Sequence, residues 1–444
     1  MNALGEAYIR YLPPPPCKIL VINNSDVAEH LKNNRYSITE SIDGTQFDIL
    51  FINEQKLNKN SLILFNHLIK QVNLNAYITI QTLTPSANKQ QYIINIAQRF
   101  GLHYLQYQHI SNYTLLSFQY QRLPKWIIRP LDTQQLDNML ILFKHVFKHT
   151  MSRELWQWKY HDKNSHALCI WENDQLIAHY GGMPRNILYF GEPKHAIQIG
   201  DVMVNPKQRG VLTKNGPFFR MTATFMELYT GYQNPFLISF GFPNERHIKL
   251  AEHLGLYAEV GRMIALSWQP ALTSRPRFMS HLQPINKQNF EQLSPHIEYL
   301  WQSMSDDLKQ SIIGQRNSHY IKQRYLNHPE QAYHLLLVKN RWSRQVYGLL
   351  VLQYQGEQCD IIDIIARPQD IPLLILHARR MASLNQCQRL YCQITLAFSH
   401  YFKSAEHHVE SLSIPIASDT WSHGPHPEEL NNHWWLMAGD MDCR

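Results

Sequence analysis

Apolar positions come in short bursts through the first third of the chain. "CKILVIN" (17–23), "FDILFIN" (47–53), "AYITIQTL" (76–83) and "YTLLSFQY" (113–120) are brief runs rich in β-branched and aromatic residues, and they predict strands. Between them, "SLILFNHLIKQV" and "QQYIINIAQRFG" repeat their apolar residues at helical spacing. Strands alternating with helices imply a parallel or mixed α/β sheet over residues 17–121, entered through the stiff segment Pro13 to Pro16. Around Leu123 the texture changes. "WIIRPLDTQQLDNMLILFKHVF" predicts a strand, then an amphipathic helix with Asp132 or Thr133 as N-cap. "ALCIWENDQLIAHYGG" predicts a hairpin turning at Asn173-Asp174.

Part of this pattern returns later. "WQWKYHDKNSHALCI" and "IKQRYLNHPEQAYHLLLV" align Tyr160 with Tyr325, an offset of 165, each followed by a polar turn and a strand. "IGDVMVNPKQRG" and "IIDIIARPQDIP" align Asp201 with Asp363 and Pro206 with Pro368, an offset of 162. Two copies of one α/β unit fit better than one large domain. Residues 1–121 are expected to form the first domain, 122–268 the first copy and 269–444 the second.

The strand "KHAIQIGDVMVNP" holds the most informative break in the first copy. Ile197 and Ile199 share one face, whereas Val202 and Val204 fall on the other parity, so a β-bulge is expected at Gly200-Asp201. A bulge turns a backbone N–H out of the ladder, where it can polarise a carbonyl. The loop "PKQRGVLTKNG" follows, and Pro217 suits the first turn of the apolar helix after it. Backbone N–H groups at such a helix start, with Arg209 and Lys214 beside them, suit phosphate. Next come the strand "PFLISFGF" and a helix capped by Asn244. In the second copy "RPQDIPLL" has no glycine at the corresponding place, so no phosphate loop is expected there.

Composition narrows the options. Lys and Arg exceed Asp and Glu by 42 to 35, but charged residues are only 17% of the chain, so the net +7 is no polybasic tract and no nucleic-acid partner is expected. The six cysteines are scattered without a CxxC pair, and the first residues lack a secretory pattern. Together with the lack of a long apolar run, this predicts a cytoplasmic protein with reduced thiols and no membrane span. His145 and His149 lie four apart on a predicted helix but lack a third ligand, so no metal is expected. Trp156, Trp158 and Tyr160 read as packing residues, as do Phe218, Phe219, Phe225 and Met226.

The first domain resembles the Rossmann-like fold of class I methyltransferases, without the GxG that would follow its first strand, so S-adenosylmethionine is not expected. From residue 126 to 268 the chain resembles the GNAT (GCN5-related N-acetyltransferase) superfamily, on Val202-x-Val204-x-Pro206, Arg209-Gly210, and Asn244 with Gly255 eleven residues on. "WKYHDKN", "RGVLTKNGPFF", "FGFPNE" and "WWLMAGDMD" look like GNAT-like proteins of bacterial surface-polysaccharide gene neighbourhoods. The implied fold class is α/β: a Rossmann-like domain followed by two tandem α+β GNAT-like domains. The implied reaction is acyl transfer, most simply of acetyl, from acetyl-CoA or another acyl-CoA to a small-molecule or sugar amine in a ternary complex, with the acceptor site shaped between the two copies. The resemblance places the donor on Val202, Met203 and Val204 and on Arg209, Gly210, Val211, Leu212, Thr213, Lys214 and Gly216, with Asn244 beyond. Asp201, Glu245, His179 and His247 are candidate bases. Two departures stand out: Leu212 and Lys214 occupy positions the family gives to small residues, and Ala251 replaces the tyrosine that many members use as acid. The alternatives are a Fem-type transferase using aminoacyl-tRNA and a non-catalytic GNAT-like binding protein.

Overall fold

The structure is a computed structural model that describes residues 17–22, 25–33, 35–39, 46–53, 59–122, 124–272, 277–343, 345–402 and 407–441. The expected polyproline segment and Cys443 lie outside them. By its internal contacts the chain divides into two units. One comprises Met1–His149, Ala167–Tyr180 and Asp201–Leu228, the other Thr150–His166, Gly181–Gly200 and Tyr229–Arg444.

In the first unit, strands β1 (Lys18–Ile22), β2 (Ser37–Thr39), β3 (Phe47–Asn53), β4 (Val72–Leu83), β5 (Leu102–Ile110) and β6 (Tyr113–Tyr120) form one sheet in the order β2-β1-β3-β4-β6-β5. The first four are parallel, and β6 runs antiparallel between β4 and β5. Helices α1 (Ser25–Asn33), α2 (Lys59–Leu68) and α3 (Ala87–Arg99) make the connections. The expected mixed α/β sheet is therefore present. The pattern of apolar positions did not reveal β2 or β5. β2 has three residues, and β5 is an edge strand whose Leu105 and Tyr107 face outward, so neither carries a clean buried alternation.

Strand β7 (Ile127–Pro130) is tied to this domain by Asn66, whose Nδ2 donates to the carbonyls of Leu62 and Ile128 at 2.8 Å. Asp132 caps a 3-10 turn ahead of helix α4 (Leu136–Phe147), its Oδ1 accepting from the Gln134 N–H at 3.0 Å. Beyond helix α5 (Arg153–Lys159), β7 pairs antiparallel with β8 (His166–Glu172), which leads into β9 (Gln175–Tyr189). Asn173 (φ 48°) and Asp174 (φ 60°) both adopt left-handed backbone at that turn, the geometry of a type I′ hairpin. β10 (Glu192–Val204) and helix α6 (Pro217–Tyr229) follow, and α6 buries Phe219, Met221, Phe225 and Met226.

The second unit is built on strands β11 (Ile238–Gly241), β12 (Tyr257–Trp268), β13 (Ser280–Ile285), β14 (Ile312–Gly314), β15 (His334–Asn340), β16 (Val346–Gln355), β17 (Gln358–Ala366), β18 (Arg389–Thr395), β19 (His407–Asp419) and β20 (Trp434–Trp435). With the unit's parts of β9 and β10, the strand order is β13-β15-β16-β17-β18-β12-β19-β11-β10-β9-β14-β20. Helices α7 (Glu245–His253), α8 (Phe290–Asp307), α9 (Ser318–Ile321), α10 (Ile371–Leu384) and α11 (Pro427–Leu430) complete it. Among the described residues no helix is long and apolar enough to cross a membrane.

The element order of residues 127–241 is similar to that of 280–395, apart from the 3-10 turn Thr133–Gln135 in the first stretch and β14 in the second: strand, long helix, short helix, two antiparallel strands, a third strand, a proline-started 3-10 turn, a helix and a strand. Local geometry recurs as well. β10 pairs parallel with β11 up to Ile199↔Gly241, and β17 pairs parallel with β18 up to Ile361↔Cys392. The second pairing stops at a bulge, because Val351 faces Asp363 and Leu352 faces Ile361, leaving Ile362 as the extra residue. A side chain on Gly181 would run into the Tyr160 hydroxyl and the Gly200 carbonyl, and one on Gly439 would run into the Tyr325 hydroxyl and the Ile362 carbonyl. The aromatic residues expected to pack do so: Trp158 donates from Nε1 to the Gln323 carbonyl at 2.8 Å, and Tyr160 and Tyr325 are buried.

The end of the chain fills the opening left where β17 and β18 stop pairing. β20 lies parallel to β14, Met437 bridges to Ile394, and Thr395 N–H donates to the Leu436 carbonyl at 3.1 Å. Asp440 then meets the fully buried Arg316, which also holds Asp363. No sequence pattern singled out Arg316, because a buried arginine is legible only from its partners.

Candidate functional site

The C-terminal part of β10 and the loop after it belong to the first unit. The break expected at Gly200-Asp201 is present, and the residue that takes the left-handed backbone is Asp201, at φ 50°. Aspartate tolerates this region better than most side chains do, which accounts for its place beside the glycine. His179 on β9 is fully buried, and its Nδ1 lies 2.8 Å from the Asp201 carbonyl. A carbonyl only accepts, so Nδ1 carries the hydrogen and Nε2 is the basic nitrogen. His179 thus latches the kinked backbone in place.

Beyond the kink Met203 is buried while Val202 and Val204 are partly exposed. Three contacts anchor the strand end on the β8–β9 hairpin and on itself. Asn205 N–H donates to the Ile177 carbonyl at 2.7 Å, Asn205 Oδ1 accepts from Lys207 N–H at 3.1 Å, and Gln208 Nε2 donates to Glu172 at 2.6 Å. Arg209 reaches back with Nε to the Val204 carbonyl at 2.9 Å.

The loop then runs outward. Val211 and Leu212 are 40% and 54% exposed, and no hydrogen bond among the described residues takes the N–H groups of Gly210, Val211 or Leu212. The loop closes at Gly216, whose N–H donates to the Thr213 carbonyl at 2.8 Å and whose own carbonyl accepts from Arg220. A side chain at Gly216 would collide with the Val211 carbonyl, whereas one at Gly210 would meet nothing within 4 Å. The glycine that the fold requires is therefore Gly216, and the longer loop accommodates Leu212 and Lys214 as exposed residues, with the Lys214 ammonium 5.8 Å from the Phe219 ring. Pro217 opens α6 as expected, and the first N–H groups of a helix have no partner inside it. Loop N–H groups without a protein partner among the described residues, a positive helix end and two basic side chains are the chemistry of a phosphate site. After β17 there is no such loop: the 3-10 turn Pro368–Asp370 passes directly into α10 at Ile371.

Asn244, Glu245 and His247 belong to the second unit. Asn244 caps α7, its side chain accepting from His247 N–H at 2.9 Å. Glu245 accepts from Arg262 Nη1 at 2.9 Å, and Arg262 also grips Glu259 through two nitrogens. Ala251, where many family members would carry a tyrosine, is fully buried on α7.

Sequence reading missed the arginines on the other side of α6. Arg99, in the last turn of α3, donates to Thr224 at 3.0 Å and to both oxygens of Glu227 at 2.5 and 3.1 Å. Arg220 donates to the Arg99 carbonyl. Burial first, and then the charges of Arg99 and Arg122, push the Arg220 guanidinium down to about 10. The signal available beforehand was two arginines, at the end of one predicted helix and just after the last strand of the sheet, with nothing local to pair them.

Residues 127–252 match the family described as "Acetyltransferase (GNAT) domain". No curated protein matches the chain. Among solved structures, a conserved protein of unknown function from Enterococcus faecalis, described as "Probable N-Acyltransferase", is similar at a TM-score of 0.52 and 11% identity, over 66% of this chain and 72% of that one. A GCN5-related N-acetyltransferase from Anabaena variabilis is similar at 0.50 and 11% identity, over 66% and 73%. At such identity the likeness is one of fold. The segment that carries the bulge, the loop and α6 is thus the one similar in sequence to the GNAT domain, and about two thirds of the chain shares the fold of such proteins.

Proposed function

We propose that this protein is an N-acyltransferase that moves an acyl group, most simply acetyl, from acyl-CoA to the amine of a small molecule or amino sugar in a ternary complex. The observation that carries the reading is the loop 209–216. It leaves the N–H groups of Gly210, Val211 and Leu212 without a partner among the described residues ahead of a proline-started helix, inside the segment similar to the GNAT domain, and the stretch after β17 has no counterpart. On this reading the N–H groups of the loop and the start of α6 hold the CoA pyrophosphate, with Arg209 and Lys214 adding charge. The kink at Asp201 sets the backbone of Val202–Val204 beside the thioester. The amine nitrogen attacks the thioester carbon, the C–N bond forms and the C–S bond breaks. The amine proton passes to a base, and the sulfur leaves as thiolate and takes up a proton. An ordinary thiol has a pKa of about 8.5, so it departs without a dedicated acid, which accommodates Ala251. Asp201 is the favoured base, acting directly or through water; His179 keeps Nε2 as its basic nitrogen but is fully buried, so it is the second candidate.

On the same reading residues 269–444 are a second GNAT-like domain without a donor loop, and residues 1–121 a degenerate methyltransferase-like domain.

Calorimetric titration of the full chain with acetyl-CoA tests the reading. One saturable site per chain is expected, and absence of binding at millimolar ligand sinks it. With an acceptor identified by a thiol-release screen of amino sugars and amino acids, Asp201→Asn is expected to lower turnover roughly a hundredfold while leaving acyl-CoA affinity within about twofold. Full turnover in that variant removes Asp201 as the base.

A further inference from the structure

Three stretches of the chain, residues 261–290, 331–356 and 371–405, contain no aspartate or glutamate. The fold of the second unit brings parts of all three to the β13 edge of its sheet. β13 pairs with β15 from Ser280↔Asn340 onward, and α10 reaches the start of β13, where Ser280 Oγ lies 2.8 Å from His377 Nε2. Burial first, and then the charges of Arg277, Arg380 and His281, push the His377 imidazole down to about 4, so cations converge on this corner. Two loops meet there. Arg341 N–H donates to the Met279 carbonyl at 2.9 Å, its Nε to the Phe278 carbonyl at 3.0 Å and its Nη2 to the Arg277 carbonyl at 3.3 Å. A carbonyl carries no net charge, so these bonds fix Arg341 without neutralising it. Asn340 Oδ1 closes the adjoining turn, accepting from Trp342 and Ser343 N–H at 2.8 and 3.0 Å. What this frame holds out to solvent is apolar: Phe278, Met279 and Trp342 are 75%, 58% and 67% exposed, and the Phe278 and Trp342 rings pack 5.8 Å apart at 52°. Large apolar side chains grouped on a fixed frame in water are the mark of an interaction surface.

We propose that Phe278, Met279 and Trp342, flanked by Arg277 and Arg341, form a docking patch for an anionic lipid surface. The inference is independent of the acyl-CoA reading. Aromatic and aliphatic side chains enter the headgroup layer while guanidinium groups bond lipid phosphates, and reversible attachment needs both signals together. Charge decides against a second copy of the chain, because a two-fold contact on this patch would set arginines against arginines. Ring geometry decides against a nucleic-acid strand: bases stack on open aromatic faces, whereas these two rings pack against each other and Met279 has no face to offer.

Flotation of the full chain with vesicles is the test. The wild type is expected to float with phosphatidylcholine vesicles carrying about 30% phosphatidylserine, and to bind phosphatidylcholine alone about tenfold or more weakly. The double variant Phe278→Ser/Trp342→Ser is expected to weaken binding to the anionic vesicles about tenfold or more, and Arg277→Gln about fivefold. All three positions are exposed, so the circular dichroism of these variants should match the wild type. Brominated acyl chains are expected to quench part of the tryptophan fluorescence of the wild type and less of it in Trp342→Phe, which still floats. No binding to anionic vesicles, undiminished binding in the double variant, or undiminished quenching in Trp342→Phe overturns the proposal. So does binding of single-stranded polyuridine, or concentration-dependent dimerisation, that the double variant abolishes while the wild type stays off the vesicles.

Discussion

Replacing Gly216 with alanine is expected to weaken acyl-CoA binding by roughly two to four decades, whereas Gly210→Ala changes it by less than about twofold. The added methyl group at 216 runs into the Val211 carbonyl, so the loop must open at its closing point and its N–H groups are displaced. Hydrogen bonds from N–H groups to a charged acceptor contribute about 1.5–3 kcal/mol each. Two of them lost together give about 3–6 kcal/mol, which at 1.4 kcal/mol per decade is the range stated. At 210 the same methyl group meets nothing within 4 Å. The contrast is diagnostic because resemblance to the family points to Arg209-Gly210 and the geometry points to Gly216. Calorimetry on both variants, with circular dichroism to check the fold, decides between them. A Gly210→Ala variant that loses binding while Gly216→Ala keeps it would falsify this account of the loop.

Why one glycine was legible and the other's importance was not is a matter of range. The alternation of apolar positions reports which face of a strand is buried, and it located β1, β3, β4, β6 and the break at Gly200-Asp201. Turn chemistry reports local backbone sign, and Asn173-Asp174 behaved as expected. The steric need for Gly216 depends on where the Val211 carbonyl lies after the loop has turned back, which no pattern over neighbouring residues encodes. His179 shows the same limit. As a histidine on the strand before Asp201 it was a candidate base, and only the folded register brings its Nδ1 to the Asp201 carbonyl. The cluster of Arg99, Arg220 and Glu227 joins residues more than 120 positions apart, so its members looked like ordinary surface charges in the sequence.

Arg316→Met is expected to destabilise the chain by about 3–5 kcal/mol, because it strips the cation from two carboxylates that stay buried. Arg316 is fully buried; its Nε donates to Asp363 at 3.0 Å, its Nη2 to Asp440 at 2.5 Å and its Nη1 to the Gly314 carbonyl at 2.9 Å. Tyr325 supplies the other oxygen of Asp363 with a hydroxyl at 2.7 Å. Burial holds the Asp363 carboxyl above its ordinary range, and Arg316 pulls it back down. An acid whose folded pKa is raised binds more protons in the native than in the unfolded state between the two values, so its contribution to stability falls as pH rises through that window. Without Arg316 the downward pull is gone and the window extends upward. The deficit of Arg316→Met against wild type should therefore be smallest in acid and grow toward neutrality, for example between about pH 5 and about pH 8. Guanidinium unfolding midpoints at both pH values read this out, and an equal deficit at both sinks the assignment. Arg316→Lys keeps the charge without the fork that reaches two carboxylates at once, so it should fall between the two. Because Asp440 lies in the segment that fills the opening between β17 and β18, amide exchange at Trp434–Met441 should rise in Arg316→Met before the sheet itself unfolds.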